Sequence, residues 1–410
     1  MLAILTTHPV QYQVPLWQAL AKDDRVPIEV WYLTDHGTRQ TLDDEFGKTF
    51  SWDLDTLSGY PYRFLHAVPG ATPASFWKCR LQESLRERLR DGKVRALWIQ
   101  GWQVLAYWQA VREARAAGVE VWLRGDSNDL ALVPWWKRPL KRLLLGWLFK
   151  RVDRFLYVGS ANKRLYRKYA VPESRLYPAP HAVDNQRFAR QAALLRLQRT
   201  ALRHRWGIPE NAFCILFCGK FIAKKRPMDL VAAAQQLRRT GRMPRVHLLF
   251  VGSGALGREL RRASRVVFDA ENPTTAAAEY NADIHAEWRP PATFAGFLNQ
   301  TEIPQAYVAA DCLALPSDSG ETWGLVVNEA LASGLPCVVS DKCGCAEDLS
   351  RATKNVISFR CGDIIDFADQ LTRNSDRSDS TTSIETFDDR FSLENTVITV
   401  QALLGMHPTR

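Results

Sequence analysis

Short apolar runs alternate with stretches of helical periodicity along most of the chain. Leu2–Thr6, Ile28–Leu33, Ala96–Gln100, Val119–Arg124 and Arg154–Val158 read as strands. Val14–Ala21, Cys79–Arg90 and Tyr107–Ala117 carry the three-to-four spacing of helices. A second series begins near Phe213. It predicts strands at Phe213–Phe217, Val246–Val251, Thr293–Ala295, Cys312–Leu315 and Pro336–Ser340, and helices at Met228–Thr240, Leu256–Ala263 and Gly324–Ser333. Continuous rather than alternating apolar strands, separated by helices, imply parallel sheets covered on both faces.

The pattern therefore predicts an α/β chain with two Rossmann-like, doubly wound domains facing a cleft. A chain of 410 residues is long enough for two cores of about 200 residues each. We place the first domain at 1–184 and the second at 185–390. A C-terminal helix over 391–410 is free to cross back to the first domain. Asn185–Gly207, basic and poor in turns, carries the chain between the domains. Ser264–Pro291, with its proline dipeptides, reads as an irregular insertion, and Arg373–Thr386, rich in Ser, Thr and Asp, as a loop.

Composition narrows the partners. A formal net charge of +10 favours anionic ones: nucleotide phosphates, nucleic acid or acidic lipid. The basic residues form no known nucleic-acid module, so no nucleic-acid partner is expected. The 8 cysteines are scattered and several lie in apolar runs, which suits a reducing, cytoplasmic setting. Cys343-Gly-Cys345 lacks a second pair at zinc spacing. Met1–His8 lacks the basic and apolar regions of a secretory leader, and no apolar run is long enough to span a bilayer. Any membrane contact is then peripheral, at an inner membrane face. The candidate is the helix over 135–151, which mixes aromatics, leucines and cations; packing on the first sheet is the competing reading.

Two constellations carry chemistry. Glu321 and Glu329 are eight residues apart, with Thr322-Trp323-Gly324-Leu325 opening a helix between them. Amides at a helix entrance bind phosphate or sugar oxygens, and Gly324 admits a ligand close to the backbone. Helical rise would set the two carboxylates about 12 Å apart, the reach of a long ligand such as a nucleotide-sugar. In Cys218-Gly-Lys-Phe-Ile-Ala-Lys-Lys-Arg-Pro227, Lys220 and Lys225 flank a strand-to-helix turn. Two cations there suit a diphosphate without a metal. Both constellations would sit at carboxyl ends of strands in one open sheet, where such sheets bind ligands.

Together, Gly-Lys-(x)4-Lys and Glu-(x)7-Glu resemble glycosyltransferase family 4, which has the GT-B fold and is retaining and metal-independent. Leu249-Phe-Val-Gly-Ser-Gly254, Tyr307-Val-Ala-Ala-Asp311 and Leu331-Ala-Ser-Gly-Leu-Pro336 extend the likeness. Thr7-His-Pro-Val-Gln-Tyr12 and Pro180-His-Ala-Val-Asp-Asn-Gln-Arg-Phe188 look like bacterial polysaccharide-assembly members. The resemblance implies that Lys220 and Lys225 hold the donor diphosphate. It implies that Glu321, with the amides of Thr322, Trp323, Gly324 and Leu325, holds the sugar. Glu329 would bind the ribose, and the base would lie near Phe297–Asn299. Many relatives carry Arg at position 220 and a His after the strand that here ends in Trp122-Leu-Arg-Gly-Asp-Ser127. Arg124 and Asp126 stand there instead, and His8 follows the first strand. These three are candidates for orienting the acceptor or the reacting sugar.

The expected activity is transfer of a sugar from a nucleoside-diphosphate sugar to a glycan, lipid-linked or small-molecule acceptor, with no other cofactor. The alternatives are a sugar-nucleotide epimerase or phosphorylase on the same fold, or an inactive sugar-binding homologue. Two further motifs compete. Gly252-Ser-Gly-Ala-Leu-Gly257 has dinucleotide-site spacing, with Asp269 as its acidic strand end, but the intervening helix is short. Asp53-Leu-Asp55 resembles a metal-binding Asp-x-Asp.

Overall fold

A computed structural model describes residues 1–23, 27–38, 41–43, 48–65, 71–73, 75–272, 288–378 and 389–405. The chain folds as two units. Met1–Thr41, Leu54–Val183 and Asp389–Arg410 form the first; Leu42–Asp53 and Asp184–Asp388 form the second.

The first unit holds strands β1 (Leu2–Thr6), β2 (Ile28–Tyr32), β3 (Tyr62–Phe64), β4 (Ala96–Ile99), β5 (Glu120–Leu123), β6 (Arg154–Tyr157) and β7 (Leu176–Pro178). They form one sheet in the order β3-β2-β1-β4-β5-β6-β7, parallel throughout. All five residues of β1 are buried, as expected of a central strand covered on both faces. The helix Leu393–Leu403 belongs to this unit. Its Val400 and Leu403 join Trp17, Leu20 and Trp98 in one core, and Arg95 Nη1 donates to the Leu404 carbonyl at 2.5 Å.

The second unit holds β8 (Phe213–Cys218), β9 (Val246–Val251), β10 (Arg265–Asp269), β11 (Pro291–Gly296), β12 (Cys312–Leu315), β13 (Cys337–Ser340) and β14 (Val356–Phe359). Their order is β10-β11-β9-β8-β12-β13-β14, again all parallel. In both sheets the order reverses beside the first strand of the unit: between β1 and β4, and between β8 and β12. Ligand sites of open α/β sheets lie at such switch points, beyond the carboxyl ends.

The structure changes or sharpens several sequence expectations. Cys79–Arg90 is helical only over Arg86–Asp91. The backbone before it is held by the neighbouring helix Leu105–Ala117: Leu81 N donates to Gln109 Oε1 at 2.8 Å and Ala106 N to the Cys79 carbonyl at 2.9 Å. Asn185–Gly207 is two helices, Asn185–Arg196 and Arg199–Arg205, the first capped by Asp184. Ser264–Pro291 begins with β10, an edge strand on β11; residues 273–287 of that stretch lie outside the described residues. Arg373–Ser378 continues the helix Ile364–Ser378, whose Phe367, Ala368 and Leu371 are buried in the second core. Residues 379–386 lie outside the described residues.

Residues 42–53 fold with the second unit, although the sequence sets them in the first domain. Asn299 Nδ2 donates to the Ser51 carbonyl at 2.8 Å, and Thr301 N donates to Asp53 Oδ2 at 2.9 Å. Asp55 Oδ1 accepts from Leu57 N at 3.0 Å. Both carboxylates of the Asp-x-Asp motif thus hold backbone amides, Asp55 a local one and Asp53 one distant in sequence.

Candidate functional site

In the second unit the chain leaves β8 through Gly219, in a positive-φ conformation (147°), and reaches Lys220. Phe221 pins this loop into the core against Phe217 and Phe250, with ring centroids 5.9 Å away in each case. The glycines after β9 make room for it. A Cβ on Gly252 would stand 2.1 Å from the Gly219 carbonyl oxygen, and one on Gly254 2.8 Å from Phe221 N. That packing explains the dinucleotide-like spacing. β10 is not beside β9, since β11 intervenes, and Asp269 receives Arg261 Nε at 2.6 Å and Nη2 at 2.9 Å.

A short turn, Ala223–Lys225, follows, and Arg226 at φ 51° reverses the chain into the helix Pro227–Arg239. The loop after β12 is stitched to this turn: Asp318 N donates to the Lys224 carbonyl at 2.9 Å. Glu321 then meets Lys225, whose ammonium donates to Glu321 Oε2; Ser317 Oγ donates to the same oxygen at 3.3 Å. Both partners are mostly buried, with side-chain exposures of 19% and 13%. A cation from one strand end and a carboxylate from the next are therefore in contact at the switch point of the sheet.

The helix opens later than the sequence suggests, at Leu325. Glu321 lies ahead of it, so helical rise does not set its separation from Glu329. Gly324 is left-handed at φ 102°, and a Cβ there would stand 2.7 Å from Leu315 Cδ2. The fold itself demands this glycine, whatever approaches the backbone. Trp323 is buried, and its Nε1 donates to Asn328 Oδ1 at 2.9 Å. Only the main chain of Trp323 is then offered to a ligand. Thr322 and Leu325 are half-buried beside it.

Glu329 sits one turn inside the helix. Tyr307 Oη donates to its Oε2 at 2.5 Å. Burial raises its carboxyl above the usual carboxylate range, opposed by Tyr307, Gln300 and the charge of Arg187. Arg187 is itself set by Gln300, donating to its carbonyl at 2.9 Å and to Oε1 at 2.8 Å. Asn299 caps the turn before Pro304–Ala309, its carbonyl accepting from Ile303 N at 2.8 Å, while its Nδ2 holds Ser51. Tyr307, Gln300 and Arg187 were not picked out as site residues from sequence. Tyr307 and Arg187 fall within quoted motifs, but nothing local shows that they converge on Glu329.

In the first unit a cavity of about 130 Å³ lies at the carboxyl ends of β1, β4 and β5. It is lined by His8, Tyr12, Gln100, Arg124, Asp126 and His181, among others, so the three candidates named from the sequence share one cavity. His8 Nδ1 and Thr7 Oγ1 are hydrogen-bonded at 2.9 Å, and the imidazole meets His36 edge-on at 5.3 Å. Burial, then the charge of His36, pushes its pKa down to about 4. Arg124 is buried and braces the loop after β7, with Nε donating to the Ala179 carbonyl and Nη2 to the Pro180 carbonyl, both at 3.2 Å. Burial lowers it to about 10, so it stays charged at neutral pH; burial, and then the Arg124 charge 3.4 Å away, pushes His181 well below the usual imidazole range. Asp126 is exposed at the cavity mouth.

Buried neutral histidines make the fold sensitive to acid. His247, fully buried in β9 and hydrogen-bonded to Thr293 Oγ1 at 2.9 Å, is pushed by burial down to about 3. Each such group gains its proton more easily in the unfolded chain, near pH 6.5. Its stabilising contribution is complete above that pH and is lost as pH falls towards about 4 for His8 and about 3 for His247. The melting temperature should fall between pH 7 and 4, and His247→Gln should flatten that slope. An unchanged slope in the variant would remove His247 from this account.

Residues 198–383 match the family described as Glycosyl transferases group 1. That stretch contains Lys220, Lys225, Glu321 and Glu329, so the matched residues and the switch-point site coincide. A D-inositol 3-phosphate glycosyltransferase of Xylanimonas cellulosilytica is 32% identical over 183 residues, covering 43% of this chain and 37% of that protein. The sulfoquinovosyl transferase SQD2 of Arabidopsis thaliana is 27% identical over 247 residues, covering 57% of this chain and 42% of that protein. The chain thus spans less than half the length of these curated relatives. Among solved structures, Anabaena Alr3699/HepE in complex with UDP and glucose aligns at TM-score 0.64 and 14% identity, over 98% of this chain and 99% of that one. The fold is GT-B: two parallel seven-stranded sheets, each covered by helices.

Proposed function

We propose that the chain transfers a sugar from a nucleoside-diphosphate sugar to a glycan, lipid-linked or small-molecule acceptor. The observation that carries this reading is the contact of Lys225 with Glu321 at the switch point of the second sheet. In contact, the two neutralise each other. A nucleotide-sugar would separate their tasks: Lys220 and Lys225 would neutralise the diphosphate, and Glu321, with the amides of Thr322–Leu325, would accept and donate to sugar hydroxyls. Glu329, oriented by Tyr307, faces the ribose in this reading, with the base near Phe297–Asn299. His8, Arg124 and Asp126 would orient the acceptor or the reacting sugar in the first unit.

Catalysis would come from positioning and from neutralising the leaving diphosphate. We propose retention of anomeric configuration and no obligatory metal, because two lysines supply the positive charge. The Anabaena neighbour, solved with UDP and glucose, supports a donor of this class. We propose a cytoplasmic site of action at the inner face of a membrane; no helix among the described residues is long and apolar enough to cross one.

A thermal-shift screen of nucleotide-sugars tests the reading. A true donor at about 100 times its dissociation constant stabilises a protein by about 2.7 kcal/mol. At least one should raise the melting temperature equally with and without a chelator. A flat response to the whole panel would overturn the proposal.

A further inference from the structure

The helix Arg138–Phe149 of the first unit has two apolar faces. Leu145, Leu148 and Phe149 are buried and join its core. Leu140, Leu143, Leu144 and Trp147 form a second stripe, at i, i+3, i+4 and i+7, which faces solvent. Leu143 is 70% exposed, and Trp135, on the turn just before the helix, 77%. Packing on the sheet accounts for the first face and leaves the second unexplained. The patch extends through an aromatic ladder: Trp147 stacks on Trp108 at 5.9 Å, Trp108 meets Phe76 at 6.2 Å, and Phe76 meets the exposed Trp77 at 4.9 Å.

The charge around this stripe has one sign. From Leu130 to Val152 the sequence contains Lys137, Arg138, Lys141, Arg142, Lys150 and Arg151 and no Asp or Glu. Among the described residues none of these six forms an ion pair with a carboxylate. Beside the helix lies a groove of about 470 Å³, lined by Arg138, Lys141, Arg142 and Lys168 together with Leu130 and Leu165. Asp129 also lines it, but its carboxylate pairs with Arg164 and Lys168, each at 3.2 Å, and leaves the other three cations uncompensated.

We propose that this face docks on an anionic lipid bilayer, with Leu140, Leu143, Leu144 and the tryptophans in the interfacial layer and a lipid phosphate in the groove. Exposed leucines flanked by arginine and lysine are the composition of a helix lying in a membrane interface, where long cationic side chains reach outward to headgroups. Tryptophan rings settle at that same depth. A second copy of the chain is a poor occupant, because it would oppose six cations with six more. The inference does not depend on the donor site; it specifies the surface from which a lipid-linked acceptor would be reached.

Vesicle flotation tests it. The full chain should float with vesicles of phosphatidylcholine and phosphatidylglycerol, stay behind with phosphatidylcholine alone, and be released by salt. Leu140→Glu/Leu143→Glu and Arg138→Glu/Lys141→Glu/Arg142→Glu should each weaken binding about tenfold or more. Both variants should keep the wild-type melting temperature and any nucleotide-sugar response, which separates this test from that of the donor site. Equal recovery on neutral vesicles, no recovery on either, or undiminished binding by both variants would overturn the proposal. So would a wild-type dimer that Leu143→Glu dissociates, since a second copy would then cover the stripe.

Discussion

Glu321→Gln should leave a folded protein whose turnover falls by about 100-fold or more, the usual scale for losing one oriented electrostatic contact at a reacting centre. The amide keeps the size of the side chain and one acceptor oxygen, so Ser317 Oγ, 3.3 Å away, retains a partner. The negative charge is lost. In the free protein Lys225 then loses its counter-ion in a place where it is only 19% exposed. In the donor complex Lys225 gains the diphosphate as partner, and the loss falls on Glu321's contact with the sugar. The variant should therefore bind the bare nucleoside diphosphate at least as well as the wild type, since one anion no longer competes for Lys225. It should fail in the chemical step, measured as nucleoside-diphosphate release in the presence of acceptor. Near-normal turnover would remove Glu321 from the site.

The second large effect is on stability. Asp311→Ala should cost about 3–5 kcal/mol, the range found when a buried ion pair loses one partner. Asp311 receives Arg199 Nη2 at 2.6 Å, Arg203 Nη1 at 3.2 Å and the Cys214 amide at 2.7 Å. The Arg203 side chain is only 2% exposed. The carbonyls of Pro209 and Ala212 also accept from Arg203, but neither carries a counter-charge. Asp311 therefore ties the helix Arg199–Arg205 to the first residues of β8. Urea unfolding should show the lowered midpoint, and Asp311→Asn should restore part of it by keeping an acceptor for the Cys214 amide. A loss below about 1 kcal/mol would show that the carbonyls alone satisfy Arg203.

Both predictions rest on residues found by different routes. The strands from Leu2 and from Phe213 were legible because parallel strands covered on both faces read as unbroken apolar runs. Lys225 and Glu321 were legible because each follows such a run, and strand ends of one sheet converge. The partners of Glu329 were not, since Arg187 comes from the helix Asn185–Arg196 and Gln300 and Tyr307 from the turn and helix before β12, both distant from Glu329 in sequence. His181 was quoted within a motif but not as a lining residue; β7, which delivers it to the cavity, has only three residues and no pattern of its own. Gly324 and Trp323 also have structural roles that the sequence did not announce: a Cβ on Gly324 would meet Leu315, and the Trp323 indole donates to Asn328. Asp53 sits beside Trp52 in sequence and beside Thr301 in space, a pairing across 248 residues that no local pattern announces.

The central claim is that Lys225 and Glu321, in contact at the switch point of the second sheet, bind the donor diphosphate and sugar. Calorimetric titration of the wild type and Lys225→Ala with the nucleotide-sugar identified by the thermal screen tests it most directly. Losing one charge-assisted contact to phosphate should weaken binding by about tenfold or more, while the variant stays folded without ligand, with a melting temperature lowered by the loss of Glu321's partner. Equal affinities in the two proteins would contradict the account, because the diphosphate would then lie elsewhere.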